Sequence, residues 1–454
     1  MALKKQFIKF IIPSVVSMWV FSIYSMIDGI FVAKGVGETA LAAVNLSIPY
    51  ISLIFALALL FAVGTSTLAA VYSGQGDHDQ ASRIFSLNTA VLLIVSVLIM
   101  IFSSVFLDSI ISLLGATDIT RSYVKDYLGV IILFVPFYML SYSLEVIIKT
   151  DGFPVLATLG VLVSILVNGF LDYLFILVFH LGIRGAGLAA GCAQLSLFLL
   201  FFIHFLKKKG YLRFTRFRWN LSVYHRILPI GVSDFITELS NGMIIFLFNH
   251  VILSVVGDSG VVGYTVVSYV NSLVLMTMMG ITQGMQPLSS FYYGQREHGV
   301  CQRLLRYSVL CIAVCSLVAF AVGMLLPEPL VGIFIQRQHT ELFAYSVRAL
   351  RLFSFSFLIM GFNVVIAGFF VSIERPAYSM PISISRGLIL ISASLLVLSA
   401  LFGETGIWLS TLVSESLCLC LTLALFFKYR SDHKAQIRKA PSAPSKTCID
   451  APRM

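Results

Sequence analysis

The 454-residue sequence predicts an all-α integral membrane protein, with twelve transmembrane helices in two six-helix bundles related by a pseudo-twofold axis along the membrane normal. Three observations predict it. The chain is 58% hydrophobic and 11% charged, where soluble domains carry about 25% charged residues. A soluble fold so poor in charge could not cover its surface, so lipid is the solvent. Apolar stretches of about 20 residues, enough to cross a bilayer, recur twelve times. Finally, residues 36–83 and 256–303 match at an offset of 220 without a gap. Gly37/Gly257, Gly64/Gly284, Tyr72/Tyr292, Gly74/Gly294, Gln75/Gln295 and Arg83/Arg303 coincide, and Glu38 faces Asp258. Further on the register slips by one or two residues, with Gly152-Phe153-Pro154 answering Glu374-Arg375-Pro376 and Gly182/Gly185 answering Gly403/Gly406. Two same-sense halves are a recurrent plan for secondary transporters, with the substrate path between them.

The spans fall at about 10–32, 42–72, 84–106, 122–147, 155–179 and 185–206 in the first half. In the second they fall at about 226–254, 258–292, 304–326, 342–372, 377–401 and 406–427. Span 1 follows a basic N-terminus but is too long for a signal peptide, carries Asp28 and lacks a cleavage site. Pro49, Pro136 and Pro287 lie inside spans and are expected kinks. With both termini cytoplasmic, inner segments hold 23 Lys/Arg and outer ones 7, which leaves Arg386 alone inside a span. That satisfies the positive-inside rule and reads the +10 net charge as topology, at a cell (inner) membrane. The domains are a bundle over 1–206, a basic cytoplasmic linker over 207–226, a bundle over 227–428 and a tail over 429–454. The tail is polar with scattered proline and is expected to be disordered and cytoplasmic.

A carboxylate at a helix centre costs about 2.5–3.5 kcal/mol on insertion scales, so each one needs a reason. Asp28 and Asp172 fall at similar depth in the outer halves of spans 1 and 5, with Asn168 on the same helix face as Asp172. Three oxygen-bearing side chains at one depth suit a cation or proton site. Two neighbouring buried carboxyls cannot both ionise cheaply, so the pair is expected to hold a proton near neutral pH. A structural cluster fixing span 1 to span 5 is the plainer reading.

Glu238 and Glu415 sit near the midplane of spans 7 and 12. Either suits organic cations, although Glu415 is also placed to pair with Arg386 on span 11. Asp234 lies nearer the inner end of span 7, where it can reach water. Glu145 and Asp126, near opposite ends of span 4, are expected to snorkel or cap. Residues 276–287 read Met-Thr-Met-Met-Gly-Ile-Thr-Gln-Gly-Met-Gln-Pro. Flexible thioethers with a few polar groups suit a pocket for many shapes, which nominates Met279, Gln283, Met285 and Gln286 as substrate contacts. Methionine is also ordinary lipid-facing filler.

Other chemistries find no support. There is no GxxxxGK[ST] phosphate loop, no HExxH, no paired CxxC and no Ser-His-Asp arrangement. Neither a cofactor nor a structural metal is expected, and the chain does not read as an enzyme. No segment interleaves basic and aromatic residues as a nucleic-acid site would. The seven cysteines (Cys192, Cys301, Cys311, Cys315, Cys418, Cys420 and Cys448) mostly lie in apolar stretches and read as packing residues.

The chain resembles the multidrug and toxic compound extrusion (MATE) family over about residues 8–428, within the prokaryotic branches that place an Asp on helix 1. The resemblance rests on Ile11-Ile12-Pro13, on Met26-Ile27-Asp28-Gly29-Ile30-Phe31-Val32, and on Gly37 followed by Ala40-Leu41-Ala42-Ala43-Val44. It continues through Asn168-Gly169-Phe170-Leu171-Asp172 and Gly185-Ala186-Gly187-Leu188-Ala189. In the second half it rests on Gln283-Gly284-Met285-Gln286-Pro287 and Tyr293-Gly294. Each piece alone is weak; their order within a repeat is specific.

The resemblance implies a V-shaped pair of bundles around a central cavity and antiport of amphipathic, often cationic, compounds against protons or sodium by a monomer in the lipid bilayer. It makes Asp28, Asn168 and Asp172 three members of a cation-coupling cluster whose fourth is a Thr. Ala190 stands at that fourth position, and its repeat partner is Thr411. One ligand oxygen is therefore missing, which bears on sodium more than on protons. A lipid-linked saccharide flippase of the same superfamily is the alternative, and would be expected to have a more basic cavity. Major facilitator proteins share the helix count. However, the 2–3 loop Ser73-Gly74-Gln75-Gly76-Asp77-His78-Asp79 lacks the basic run expected there. A non-transporting receptor would bind ligand without flux.

Overall fold

A computed structural model describes residues 2–335 and 340–439. The first half runs α1 (Ala2–Gly35), α2 (Glu38–Gly74), α3 (His78–Val105), α4 (Leu107–Leu113), α5 (Asp118–Leu133), α6 (Val135–Thr150), α7 (Pro154–Asp172) and α8 (Gly182–Leu206). The second runs α9 (Tyr224–Val255), α10 (Asp258–Gly294), α11 (His298–Leu325), α12 (Pro327–Gly332), α13 (Thr340–Ser354), α14 (Phe357–Ser372), α15 (Pro376–Ile384) and α16 (Leu390–Lys439). Among the described residues there is no strand. An unpaired backbone amide is costly in lipid, and helices satisfy every one internally.

Among the described residues, eight helices are long and apolar enough to cross a membrane, and two bent pairs raise that to ten. The 57-residue run Pro376–Asp432 turns back on itself at Gly403, whose φ of 57° is left-handed. Arg386 on one limb meets Glu415 on the other, and the Ile382 carbonyl meets Cys418, so the limbs are antiparallel. Counting this run twice and adding the 34-residue α1 gives twelve crossings among the described residues.

Helix 4 of each half is the bent one. α5 and α6 meet at 57° beside Pro136, and α13 and α14 meet at 45° with no proline at the break. By contrast, α2 and α10 run on as helix through Pro49 and Pro287. The short helices α4 and α12, absent from the sequence reading, close the third span of each half. Each half also ties its fourth span to the start of its sixth with an ion pair, the acid on the fourth span in the first half and on the sixth in the second. Asp126 takes Arg184 at 2.8 Å in the first half, and Arg348 takes Glu404 at 2.8 Å in the second. The last helix continues through residues 429–439, the start of the expected disordered tail, and residues 440–454 lie outside the described residues.

The two halves interlock at the end that bears the chain termini. The start of α1 packs Phe7 and Phe10 into the core of the second half, with Phe7 and Tyr307 rings 5.7 Å apart. The start of α9 places Tyr224, Ile227 and Ile230 against Leu59, Val63 and Leu87 of the first. Lipid removes most of the hydrophobic drive between helices, so close backbone approach has to hold them together. Glycine permits it. A Cβ on Gly64 would stand 2.1 Å from the Ile227 carbonyl oxygen, and one on Gly294 would stand 2.1 Å from that of Val71.

The linker after α8 returns to the first half. Leu212 is fully buried, and Phe214 packs on Phe85 with ring centres 4.9 Å apart. The Thr215 N–H donates to Ser86 Oγ at 2.9 Å, and the Leu212 N–H donates to Asp151 at 2.8 Å. Asp151 also pairs with His204 at 3.1 Å. Burial pushes the Asp151 carboxyl above its ordinary range, against the pull of His204 and the Leu212 N–H.

Candidate functional site

Asp28 and Asp172 come together in the first half, side chain hydrogen-bonded to side chain. Helix α1 supplies the first and the last turn of α7 the second; a π-helical segment, Tyr173–Val178, follows directly. π-helical turns in a longer helix recur at functional sites. Asp172 is fully buried and Asp28 is 8% exposed. Two neighbouring buried carboxyls cannot both ionise cheaply. With its side-chain amide turned so that the nitrogen faces the acid, Asn168 donates to Asp172 Oδ2 at 2.9 Å and accepts the Ala190 N–H at 3.3 Å. Asp28 Oδ1 and Asp172 Oδ1 have no hydrogen-bond partner among the described residues. Tyr127 and Tyr138 complete the buried wall within electrostatic reach of both acids. Ala190 contributes a backbone N–H here and no side-chain oxygen.

A second constellation surrounds two cavities beside α9 and α10, the first lined by the second half alone and the second by both halves. A small cavity is lined by Asp234 and Thr237 of α9, Met279 and Gln283 of α10, Asn363 of α14 and Arg386. A neighbouring cavity shares Asp234 and Gln283 and adds Lys149, Gln286 and Ser66. Lys149 is 2% exposed, pairs with Glu145 one turn back at 2.9 Å, and donates to Gln283 of the other half at 3.3 Å. Tyr142 lies within electrostatic reach of Glu238, Glu145 and Asp234 together. Glu238 makes no hydrogen bond or ion pair among the described residues and lines neither cavity.

Arg386 sits in a π-helical segment, Ser385–Ile389, and its Nε donates to Glu415 Oε1 at 2.7 Å. Asn363 donates to Glu415 Oε2 at 2.7 Å and accepts from Thr422 at 3.0 Å. The repeat aligns Asn363 with Ser141 and Glu415 with Gln194, and Ser141 donates to Gln194 at 2.8 Å. One interhelical hydrogen bond is thus neutral in the first half and ionic in the second.

The model of the MatE family matches residues 13–174 and 229–396, one block in each half. The chain belongs to the MatE family. This MATE chain is a membrane transporter and not an enzyme. The multidrug export protein MepA of Staphylococcus haemolyticus is 24% identical over 438 residues, covering 96% of this chain and 95% of its own. Among solved structures, a MATE protein in complex with MaL6 superposes with a TM-score of 0.89 at 22% identity, over 95% of this chain and 97% of that one. A multidrug resistance MATE transporter of the MOP superfamily in an outward-facing conformation gives 0.88 at 22% identity, over 94% and 96%.

Set against the expectations, the MATE chain gathers Asp28, Asn168 and Asp172 in one place and puts Met279, Gln283 and Gln286 on cavity walls. Met285 is a correction. It is fully buried in the core of the second half, because it faces away from the α10 stripe formed by 279, 283 and 286. Glu145 is a second. Instead of snorkelling it is 5% exposed and bound to Lys149. Sequence reasoning counted Lys149 as an inner-loop cation and missed it. The Glu-x-x-x-Lys spacing across residues 145–149 was the available signal.

Proposed function

We propose that this transporter exports amphipathic organic cations, driven by protons (or sodium) entering at Asp28 and Asp172. The observation that carries the reading is the facing of two carboxyls, buried with two unpartnered oxygens and lining neither cavity. The names of the relatives, multidrug export proteins, support the cargo class. So does the charge of the cavities. Lys149 and Arg386 are each held by a carboxylate, and Asp234 is left over on both walls. That surplus favours cationic cargo over the anionic cargo of a lipid-linked saccharide flippase.

With both termini cytoplasmic, the interlocked end faces the cytoplasm, and this state is closed on that side. Rocking about the seam would open the cavities inward for drug. Protonation of the pair would favour the state that has released it. Ala190 supplies no oxygen, which favours a proton over sodium.

The test is flux of a fluorescent organic cation in vesicles reconstituted with the purified chain, under an imposed pH gradient or an imposed sodium gradient. Flux driven by the pH gradient is expected. Flux driven by sodium alone would reassign the coupling ion, and no flux under either gradient would overturn the reading.

A further inference from the structure

The second half carries an open groove over α14, between α11 and α16, of about 670 Å³. Leu305, Val309, Phe369 and Phe426 form its apolar wall, and Arg306 and Arg430 stand over it at the end that bears the termini. Leu310 and Phe427, next in sequence to two wall residues, are 63% and 62% exposed. Exposed apolar side chains on both flanks mean that the groove opens to lipid rather than to water.

The repeat shows what such a groove holds. Leu305 and Arg306 align with Phe85 and Ser86, and Phe426 and Arg430 align with Phe205 and Lys209. In the first half that groove is filled by the linker. Phe214 packs on Phe85 and Phe205, and the Thr215 N–H docks on Ser86 Oγ. In the second half the docking hydroxyl is replaced by a guanidinium. Neither Arg306 nor Arg430 has a hydrogen-bond or ion-pair partner among the described residues, and both are exposed. Two unpaired cations above an apolar slot at the end of a bundle match the chemistry of an acidic lipid: phosphate above, acyl chain below.

We propose that this groove is a binding site for an anionic phospholipid, with the phosphate between Arg306 and Arg430 and an acyl chain along Val309, Phe369 and Phe426. The lipid takes the place on the second half that the linker takes on the first. The other candidate is the C-terminal segment of this chain. Its residues beyond Arg430 carry Lys434, Arg438, Lys439, Lys446 and Arg453 against Asp432 and Asp450, the same sign as the groove. The site is independent of which cargo is carried.

The test is native mass spectrometry of the full chain in detergent with added phosphatidylglycerol or phosphatidylcholine. The wild type is expected to retain phosphatidylglycerol in preference to phosphatidylcholine. Arg306→Gln with Arg430→Gln should weaken that retention roughly tenfold. Val309→Trp, which fills the slot and leaves both charges, should weaken it as well. Thermal melting in phosphatidylcholine checks that each variant is folded. Equal retention by the double glutamine variant would overturn the proposal. So would a gain in phosphatidylglycerol binding on removing residues 440–454, which would make the tail the occupant.

Discussion

Tyr292 donates a hydrogen bond to Gln6 across the two halves at 3.0 Å, and the repeat-related pair does the same, Arg226 donating to Tyr72 at 2.9 Å. Arg226 also holds Glu374 at 2.7 Å. Each half therefore ties the first turn of the other's leading helix to its own second helix. The two ties sit at the interlocked end, near the Gly64 and Gly294 contacts.

Loss of both ties is expected to loosen this end. Each is worth about 1 kcal/mol, so Tyr292→Phe with Arg226→Gln should raise the population open at the end of the termini by roughly thirtyfold. With the seven native cysteines replaced by serine, a cysteine at Ser290, buried beside the seam, reports it through labelling by an impermeant thiol reagent. Unchanged labelling in the double variant would remove the latch role.

Arg386 and Glu415 should behave as a coupled buried pair. Arg386→Gln alone leaves a buried carboxylate uncompensated, which costs about 3–5 kcal/mol. Glu415→Gln on top of it should restore most of the thermal midpoint, because the first half tolerates a neutral Gln194 at that position. Additive losses in the double-mutant cycle would contradict the pairing.

The linker anchor carries a pH dependence. A carboxyl raised in the folded state contributes its stability below its ordinary value of 3.8 and loses it as pH rises through the raised value. Asp151→Asn keeps an acceptor for the Leu212 N–H and removes the charge. Its melting midpoint relative to the parent is therefore expected to be highest at pH 8 and to fall as pH drops towards 4. The opposite trend in detergent melts would show that the His204 pair outweighs burial.

Depth was legible in the sequence, and azimuth was not. Hydrophobic length placed the spans, and the helical register put Asn168 beside Asp172. The same register did not say which face of α10 met the other half, so Met285 was grouped with Met279. A proline announced the bend at α6, but nothing announced the bend between Ser354 and Phe357, where tertiary packing and not a missing amide breaks the helix. Lys149 was hidden because a cation at a helix end reads as a loop residue until a neighbouring bundle covers it. The Asp126–Arg184 and Arg348–Glu404 pairs escaped a search for identities, since the halves place opposite charges on their fourth spans and Arg184 and Glu404 do not align.

In the proposed cycle the acid pair of α1 and α7 couples cargo to the cation gradient. The most direct measurement is flux of a fluorescent organic cation driven by an imposed pH gradient in sodium-free vesicles, comparing wild type with Asp28→Asn at matched insertion. The variant is expected to bind the dye but to lose at least tenfold of the gradient-driven flux. Full gradient-driven flux in Asp28→Asn would contradict it.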